Sequence, residues 1–259
     1  MTDVLLPGLV SVTFRALSVP EVVALARECG LRAVEWGGDI HVPLNDLAAA
    51  RDARQRCADA GLTISAYGSY YRAGTTDPTE WDVVLATAVE LGAPQIRVWA
   101  GTTGSATTSP AQRAVVVDAI RTAAVAAEAA GVRVALEYHP DTLTDTLESA
   151  TSLFTEIGHG SAVPYWQPGG AQDVSNAIDE VRALLPTLTT AHVFSWGPGA
   201  WSDRLPLAAR EDLWLPVLRE LNRDGVDRYT LLEFVADDSP DKFRADAATL
   251  LGWLSSLTA

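Results

Sequence analysis

Short runs of β-branched and other apolar residues alternate along the chain with longer segments whose Ala, Leu and Val recur at the helical period. The alternation occurs eight times. Strand-like runs fall at 9–14, 33–36, 62–67, 95–99, 133–138, 162–167, 189–194 and 229–234. Helical segments follow at 20–29, 44–60, 79–91, 110–130, 143–157, 173–184, 208–223 and 240–257. Five of these run into a glycine, Gly30, Gly61, Gly92, Gly131 or Gly158, where a left-handed residue can satisfy the last carbonyls of a helix. Strand and helix in unbroken alternation predict parallel pairing with helices covering the sheet.

Eight units in 259 residues give a mean repeat of about 32, close to the ~250 residues of a (β/α)8 TIM barrel. An open doubly wound sheet would normally carry fewer strands and a glycine-rich first turn. Here the first run is followed by Arg15-Ala16-Leu17-Ser18, with no GxGxxG. No linker, low-complexity tract or shift in composition divides the chain, and a barrel closes only when all eight units pair. Residues 1–259 are therefore expected to form a single domain.

Composition narrows the function. The formal charge is −14, from 19 basic and 33 acidic residues, a field that repels nucleic acid. No apolar run approaches the ~20 residues of a membrane-spanning helix, and no basic flank precedes an apolar N-terminal stretch. A soluble cytoplasmic protein is expected, and a homo-oligomer is left open. Cys29 and Cys57 lie in helical segments shortly before a glycine, as packed thiols rather than a disulfide framework or metal knuckle. Four histidines, His41, His139, His159 and His192, are too few for a site built on five or more imidazoles. The single lysine, Lys242, opens the last helical segment in a polar stretch, which excludes Schiff-base chemistry at a barrel mouth.

In a (β/α)8 barrel the substrate site lies at the C-terminal ends of the strands. The last four runs bring Glu137, Gln167, His192 and Glu233 there. Neighbouring strands lie ~4.8 Å apart, so inward side chains from four consecutive staves can meet. Earlier strand ends add Glu35, Trp36, Tyr67, Arg97 and Trp99. A lone glutamate at a strand end is more often a solvated rim residue than a ligand. Glu137 and Glu233, however, end runs of buried type, VALE and YTLLE, where an unpaired carboxylate is costly. With a neutral imidazole and a neutral amide the set carries −2, which matches one divalent cation. Its oxygen-rich donors favour Mg2+ or Mn2+, with Zn2+, Co2+ and Fe2+ left open. Five tryptophans, Trp36, Trp99, Trp166, Trp196 and Trp201, fall at strand ends or in the loops beyond. Their faces suit the C–H face of a sugar or polyol ring, although capping the barrel core is an equal reading for Trp166.

Across its whole length the chain resembles the xylose isomerase-like TIM barrel superfamily, the sugar phosphate isomerase/epimerase group that also contains endonuclease IV-type proteins. The resemblance is carried by AVEWGGDIHVP, YGSYYR, IRVWAG, LEYHPDTLTDT, YWQPGG, HVFSW and LLEF. In ketose 3-epimerase-like members a Glu, Asp, His, Glu set from strands five to eight holds the metal, and the glutamates also transfer protons. The resemblance thus implies Glu137, Gln167, His192 and Glu233 as metal ligands, with Glu137 and Glu233 catalytic. Three departures stand out: Gln167 replaces the usual aspartate, Gly170 a histidine three residues on, and Ser195-Trp196 the aspartate common after the strand-seven histidine. An amide in place of a carboxylate predicts weaker metal binding.

The expected chemistry is isomerisation or epimerisation of a sugar or polyol by proton abstraction next to a carbonyl. The two glutamates act as acid and base, and the metal stabilises an enediolate. His139, Tyr67, Arg97 and Trp36 are expected to shape or bind the substrate, together with Trp99 and Trp196. For His139, simple packing is an equal reading. His41, in a Gly- and Pro-rich loop, is placed at the surface by default. A keto-polyol dehydratase would use the same metal and glutamates. A non-catalytic metal- or sugar-binding barrel, or a subunit of a larger complex, is the reading from another class. An endonuclease is disfavoured by the histidine count and the charge, and hydride-shift aldose isomerisation by the missing lysine and second metal.

Overall fold

The computed structural model describes residues 4–169 and 173–258. Eight parallel strands close into a barrel: β1 Leu5–Val10, β2 Ala33–Gly37, β3 Thr63–Arg72, β4 Gln95–Trp99, β5 Arg133–Glu137, β6 Ala162–Trp166, β7 Thr190–Val193 and, after a short ribbon, β10 Arg228–Leu232. Around the barrel they run β1-β10-β7-β6-β5-β4-β3-β2. The ribbon pairs β8, Ser195–Trp196, antiparallel to β9, Arg204–Leu205. Eight helices wrap the outside: α1 Val19–Glu28, α2 Leu47–Asp59, α3 Glu80–Leu91, α4 Pro110–Ala129, α5 Leu147–Ile157, α6 Val174–Leu184, α7 Glu211–Leu221 and α8 Pro240–Thr258. The single (β/α)8 barrel expected from the sequence is the fold observed.

Local chemistry fixes the boundaries. Ser18 with Glu21, and Ser109 with Gln112, form capping boxes at the starts of α1 and α4. All five predicted C-terminal glycines have positive φ, from 61° at Gly158 to 77° at Gly92, so each terminates its helix as a left-handed residue. The first strand differs from the expected 9–14. It spans Leu5–Val10, and Ser11–Phe14 form a 3-10 turn. Pro7 and Gly8 read as breakers in sequence, yet both lie within the strand. The Pro7 carbonyl accepts from Arg32 N at 2.8 Å, and a Cβ on Gly8 would stand 2.5 Å from the Ala33 carbonyl. Crowding inside the barrel therefore requires glycine there. The predicted helix at 208–223 likewise splits into a 3-10 turn, Leu207–Arg210, and α7. The ribbon was too short to leave a periodicity in the sequence.

The pleat divides the apolar residues into two cores. Val10, Ala33, Ala66, Ala135, Val163, Tyr165 and Leu231 fill the barrel interior. A larger set, including Val34, Trp36, Tyr67, Ile96, Val134 and Trp166, packs between strands and helices. Among the described residues no helix is long and apolar enough to cross a membrane.

Candidate active site

Strand alternation places the inner face of each strand over the barrel axis, and at the C-terminal ends those inner positions are polar. Glu137 ends β5, while Gln167 and Glu233 directly follow β6 and β10. His192 is on β7. All four are buried. Their donor atoms gather around Nδ1 of His192, with Glu233 Oε2 at 3.1 Å, Gln167 Oε1 at 3.2 Å and Glu137 Oε1 at 3.8 Å. The four side chains singled out in the sequence therefore do meet.

Three further side chains hold them from below. Arg97 Nε donates to Glu35 Oε1 at 2.7 Å, and Arg97 Nη1 donates to Glu137 Oε2. Glu35 Oε2 also accepts from the Tyr165 hydroxyl and from His192 Nε2, the latter at 3.3 Å. Burial would raise the Glu35 carboxyl, but Arg97, His192 and Tyr165 outweigh it and hold its pKa at about 2. Burial would lower the His192 imidazole, yet Glu233 and Glu35 push its pKa up to about 10. The guanidinium of Arg97 is buried among Glu137, Glu35 and Glu233, which raise its pKa further.

The donor set has the character of a cation site. Glu233 Oε2 is buried and faces His192 Nδ1 at 3.1 Å. A bound cation would displace the Nδ1 proton of His192, leaving the ring proton on Nε2 and three electron-rich atoms together: Nδ1, with Glu233 Oε2 at 3.1 Å and Gln167 Oε1 at 3.2 Å from it. Donors about 3 Å apart match the edge of an octahedral shell at about 2.1 Å from Mg2+. Charge agrees once a cation has displaced that proton: Glu35, Glu137 and Glu233 against Arg97 then leave −2 beside a neutral imidazole. Among the described residues no three His, Cys, Asp or Glu side chains alone form a metal-holding group. Arg97 draws Glu137 back, so a cation here depends on the Gln167 amide as well.

Above this layer opens a cavity of about 800 Å³, which Arg97, Glu137, Gln167 and Glu233 help to line. Trp99 forms part of one wall, with Arg72 4.5 Å above its ring and Tyr70 and His139 at 5.5 and 5.7 Å. Trp196 forms part of another, stacked on Phe194 at 4.1 Å and beside Phe234. The indole N–H groups of Trp99 and Trp196 are buried without partners. His139 lines the same cavity, and its Nδ1 lies 2.6 Å from the Pro140 carbonyl. A carbonyl only accepts, so Nδ1 is the donor in this contact. Phe234 has φ 52° and Asp141 φ 59°, left-handed conformations that are strained for such residues and concentrate here at the mouth.

Two expected substrate contacts are displaced. Trp36 is fully buried outside the barrel, 5.7 Å from His41, and Tyr67 donates to the Val42 carbonyl at 3.1 Å. Neither lines the cavity. The pleat explains it, because Glu35 points inward on β2 and its neighbour Trp36 must point outward. Arg97 reaches the cavity but is only 4% exposed, with Nε and Nη1 committed to glutamates. It organises carboxylates rather than offering a free fork to substrate. His41 is buried, its Nε2 bonded to the Leu17 carbonyl at 3.0 Å, instead of lying at the surface. Gly170 lies outside the described residues. Sequence reasoning placed Glu35 at a strand end and gave it no role, although AVEWG is as buried in type as VALE and YTLLE. Trp201, singled out in the sequence, lines the cavity, and so do Tyr70, Arg204 and Phe234; these three come from a strand exit, the short ribbon and the residues after β10, whose convergence has no periodic signal.

Residues 23–255 match the family described as xylose isomerase-like TIM barrel. A search of curated proteins finds no match. Among solved structures, the probable 3-DHS dehydratase AsbF, involved in petrobactin synthesis in Bacillus anthracis, superposes with TM-score 0.81 at 21% identity, covering 95% of this chain and 98% of that one. D-allulose 3-epimerase from Methylomonas sp. superposes with TM-score 0.72 at 12% identity, covering 98% and 99%. A xylose isomerase-like TIM barrel protein from Mycobacterium smegmatis in complex with magnesium gives TM-score 0.65 at 16% identity, covering 95% and 92%. At these identities the likeness is one of fold. With the family match spanning nearly the whole chain, the protein belongs to the xylose isomerase-like TIM barrel family.

Proposed function

We propose that this protein is a divalent-metal-dependent isomerase or epimerase of a sugar or polyol, with Glu137 and Glu233 as its proton-transfer groups. The observation that carries the reading is the convergence of Glu233 Oε2, Gln167 Oε1 and Glu137 Oε1 on His192 Nδ1, at 3.1, 3.2 and 3.8 Å. Glu137, Gln167, His192 and Glu233 would hold the cation, Mg2+ or Mn2+ by donor type. When bound, it supplies Lewis-acid stabilisation of negative charge developing on the substrate carbonyl oxygen.

The residues divide the remaining work. Arg97 occupies Oε2 of Glu137, so Oε1 is the oxygen free to take a proton next to the carbonyl. Glu233, on the neighbouring side of His192, is the group from which a proton returns to the carbon, so one of the two carboxyls would enter each turnover protonated and the other ionised, and the two exchange states. Return to the opposite face of the same carbon gives an epimer; return to the former carbonyl carbon, with the hydroxyl proton passing between the two enediolate oxygens, gives an isomer. Trp99 and Trp196 offer flat walls for the C–H face of the ring. The enzymes of similar fold named for epimerisation and dehydration agree with this class of chemistry.

A second reading, a keto-polyol dehydratase, is favoured by His139. Its imidazole lines the cavity, and β-elimination needs, besides the carbon base, an acid that hands the departing hydroxyl a proton so that it leaves as water. Incubation with Mn2+ and a panel of ketoses and keto-inositols in D2O tests both. Deuterium entering the α position is expected, and its loss in Glu137→Gln and Glu233→Gln variants that remain folded. Loss of water from the substrate would select the dehydratase. Neither outcome across the panel would leave a binding barrel, and exchange retained in either variant would overturn the acid–base assignment.

A further inference from the structure

The most deeply buried carboxylate of the cluster is not among the side chains that line the cavity. Glu35 on β2 is fully buried, and Tyr165 reaches it from β6, directly across the barrel. Its oxygens are divided: Oε1 accepts from Arg97, and Oε2 accepts from Tyr165 and from His192 Nε2 at 3.3 Å. An ionised carboxylate only accepts, so the Nε2 of His192 carries a hydrogen. The other ring nitrogen then faces Glu233 and Gln167. Arg97 in turn binds Oε2 of Glu137 and leaves Oε1 toward His192. The backbone of β3 is shaped around this carboxylate, since a Cβ on Gly68 would stand 2.6 Å from Glu35 Oε1 and 3.0 Å from Arg97 Nη2.

We infer that Glu35 is a positioning residue for the candidate metal centre. It fixes the His192 ring with Nε2–H directed inward and Nδ1 toward the other donors, and through Arg97 it selects which oxygen of Glu137 faces them. A hydrogen-bonded carboxylate behind a ligating imidazole fixes its orientation and raises its basicity. The role rests on the proposed function only for what Nδ1 serves; the hydrogen bond at Nε2 can be tested on metal-free protein.

The test combines 15N-histidine NMR of the metal-free protein with calorimetric Mn2+ titration. In the wild type, Nε2 of His192, assigned by its loss in His192→Asn, is expected to show a slowly exchanging proton. Glu35→Gln should shift that resonance upfield or abolish it, and weaken Mn2+ binding about 10- to 100-fold. Tyr165→Phe removes a competing donor from the same oxygen, so the resonance should move downfield; this variant decides the hydrogen bond even if Glu35→Gln does not fold. An unmoved resonance in the folded variants, or wild-type Mn2+ affinity in Glu35→Gln, would overturn the inference. A wild type that binds no Mn2+ would sink the proposed function, while the Nε2–H resonance would still decide the role of Glu35.

Discussion

Gln167 sets how strongly the barrel mouth can hold a cation. Its amide oxygen lies 3.2 Å from His192 Nδ1, and a neutral amide brings one negative charge fewer than a carboxylate would at the same place. Gln167→Glu keeps the length and adds that charge. Calorimetry should show Mn2+ affinity rising about tenfold or more, because ligand charge count tunes affinity; unchanged or weaker binding would remove Gln167 from the donor set. At this scale the sequence was informative about side chains that end a strand on its inner face. A carboxylate after a buried run is costly unless matched, and Glu137 and Glu233 gave that signal. Glu35 gave it too, but the partners that give it meaning, Arg97, Tyr165 and His192, are 62, 130 and 157 residues away.

The strand is the element that sorts function from packing. Trp36 and Tyr67 stand at strand ends, yet both belong to the outer core, because on a pleated strand only alternate residues see the axis. Tyr67→Phe should therefore leave KM for any substrate unchanged while costing about 1 kcal/mol of stability, the hydrogen bond to Val42. A raised KM would put Tyr67 back in the site. Gly68, next in β3, is the opposite case. Gly68→Ala places a methyl 2.6 Å from Glu35 Oε1; urea denaturation should show a loss of about 1–3 kcal/mol, as overpacking does, together with weakened Mn2+ binding. At the other end of the barrel Arg228 is 1% exposed, bonded to the carbonyls of Leu185, Leu188 and Leu221 and paired with both oxygens of Asp224. Arg228→Met strips all of these at once, and a loss of about 3–5 kcal/mol is expected with no change in Mn2+ affinity.

At the scale of the whole molecule, metal and fold are linked. A ligand at 100 times its dissociation constant stabilises the native state by about 2.7 kcal/mol. For a chain of this size that is a Tm increase of about 5–11 °C. Calorimetry in Mn2+ against EDTA should show it, and Glu233→Gln should reduce it; identical Tm values would argue against a cation at the barrel mouth. By itself, the sequence determined the closed eight-stranded barrel and the four side chains from its last staves, because hydrophobic period and strand-end chemistry are local properties of the chain. Only the tertiary structure decided which face each residue takes: Trp36 and Tyr67 outward, Glu35 inward beneath the donors, Arg97 between two glutamates. Those assignments depend on where strands start and on partners distant in sequence. A one-residue shift in a pleated strand turns each side chain to the opposite face, and no local pattern records which partners then meet.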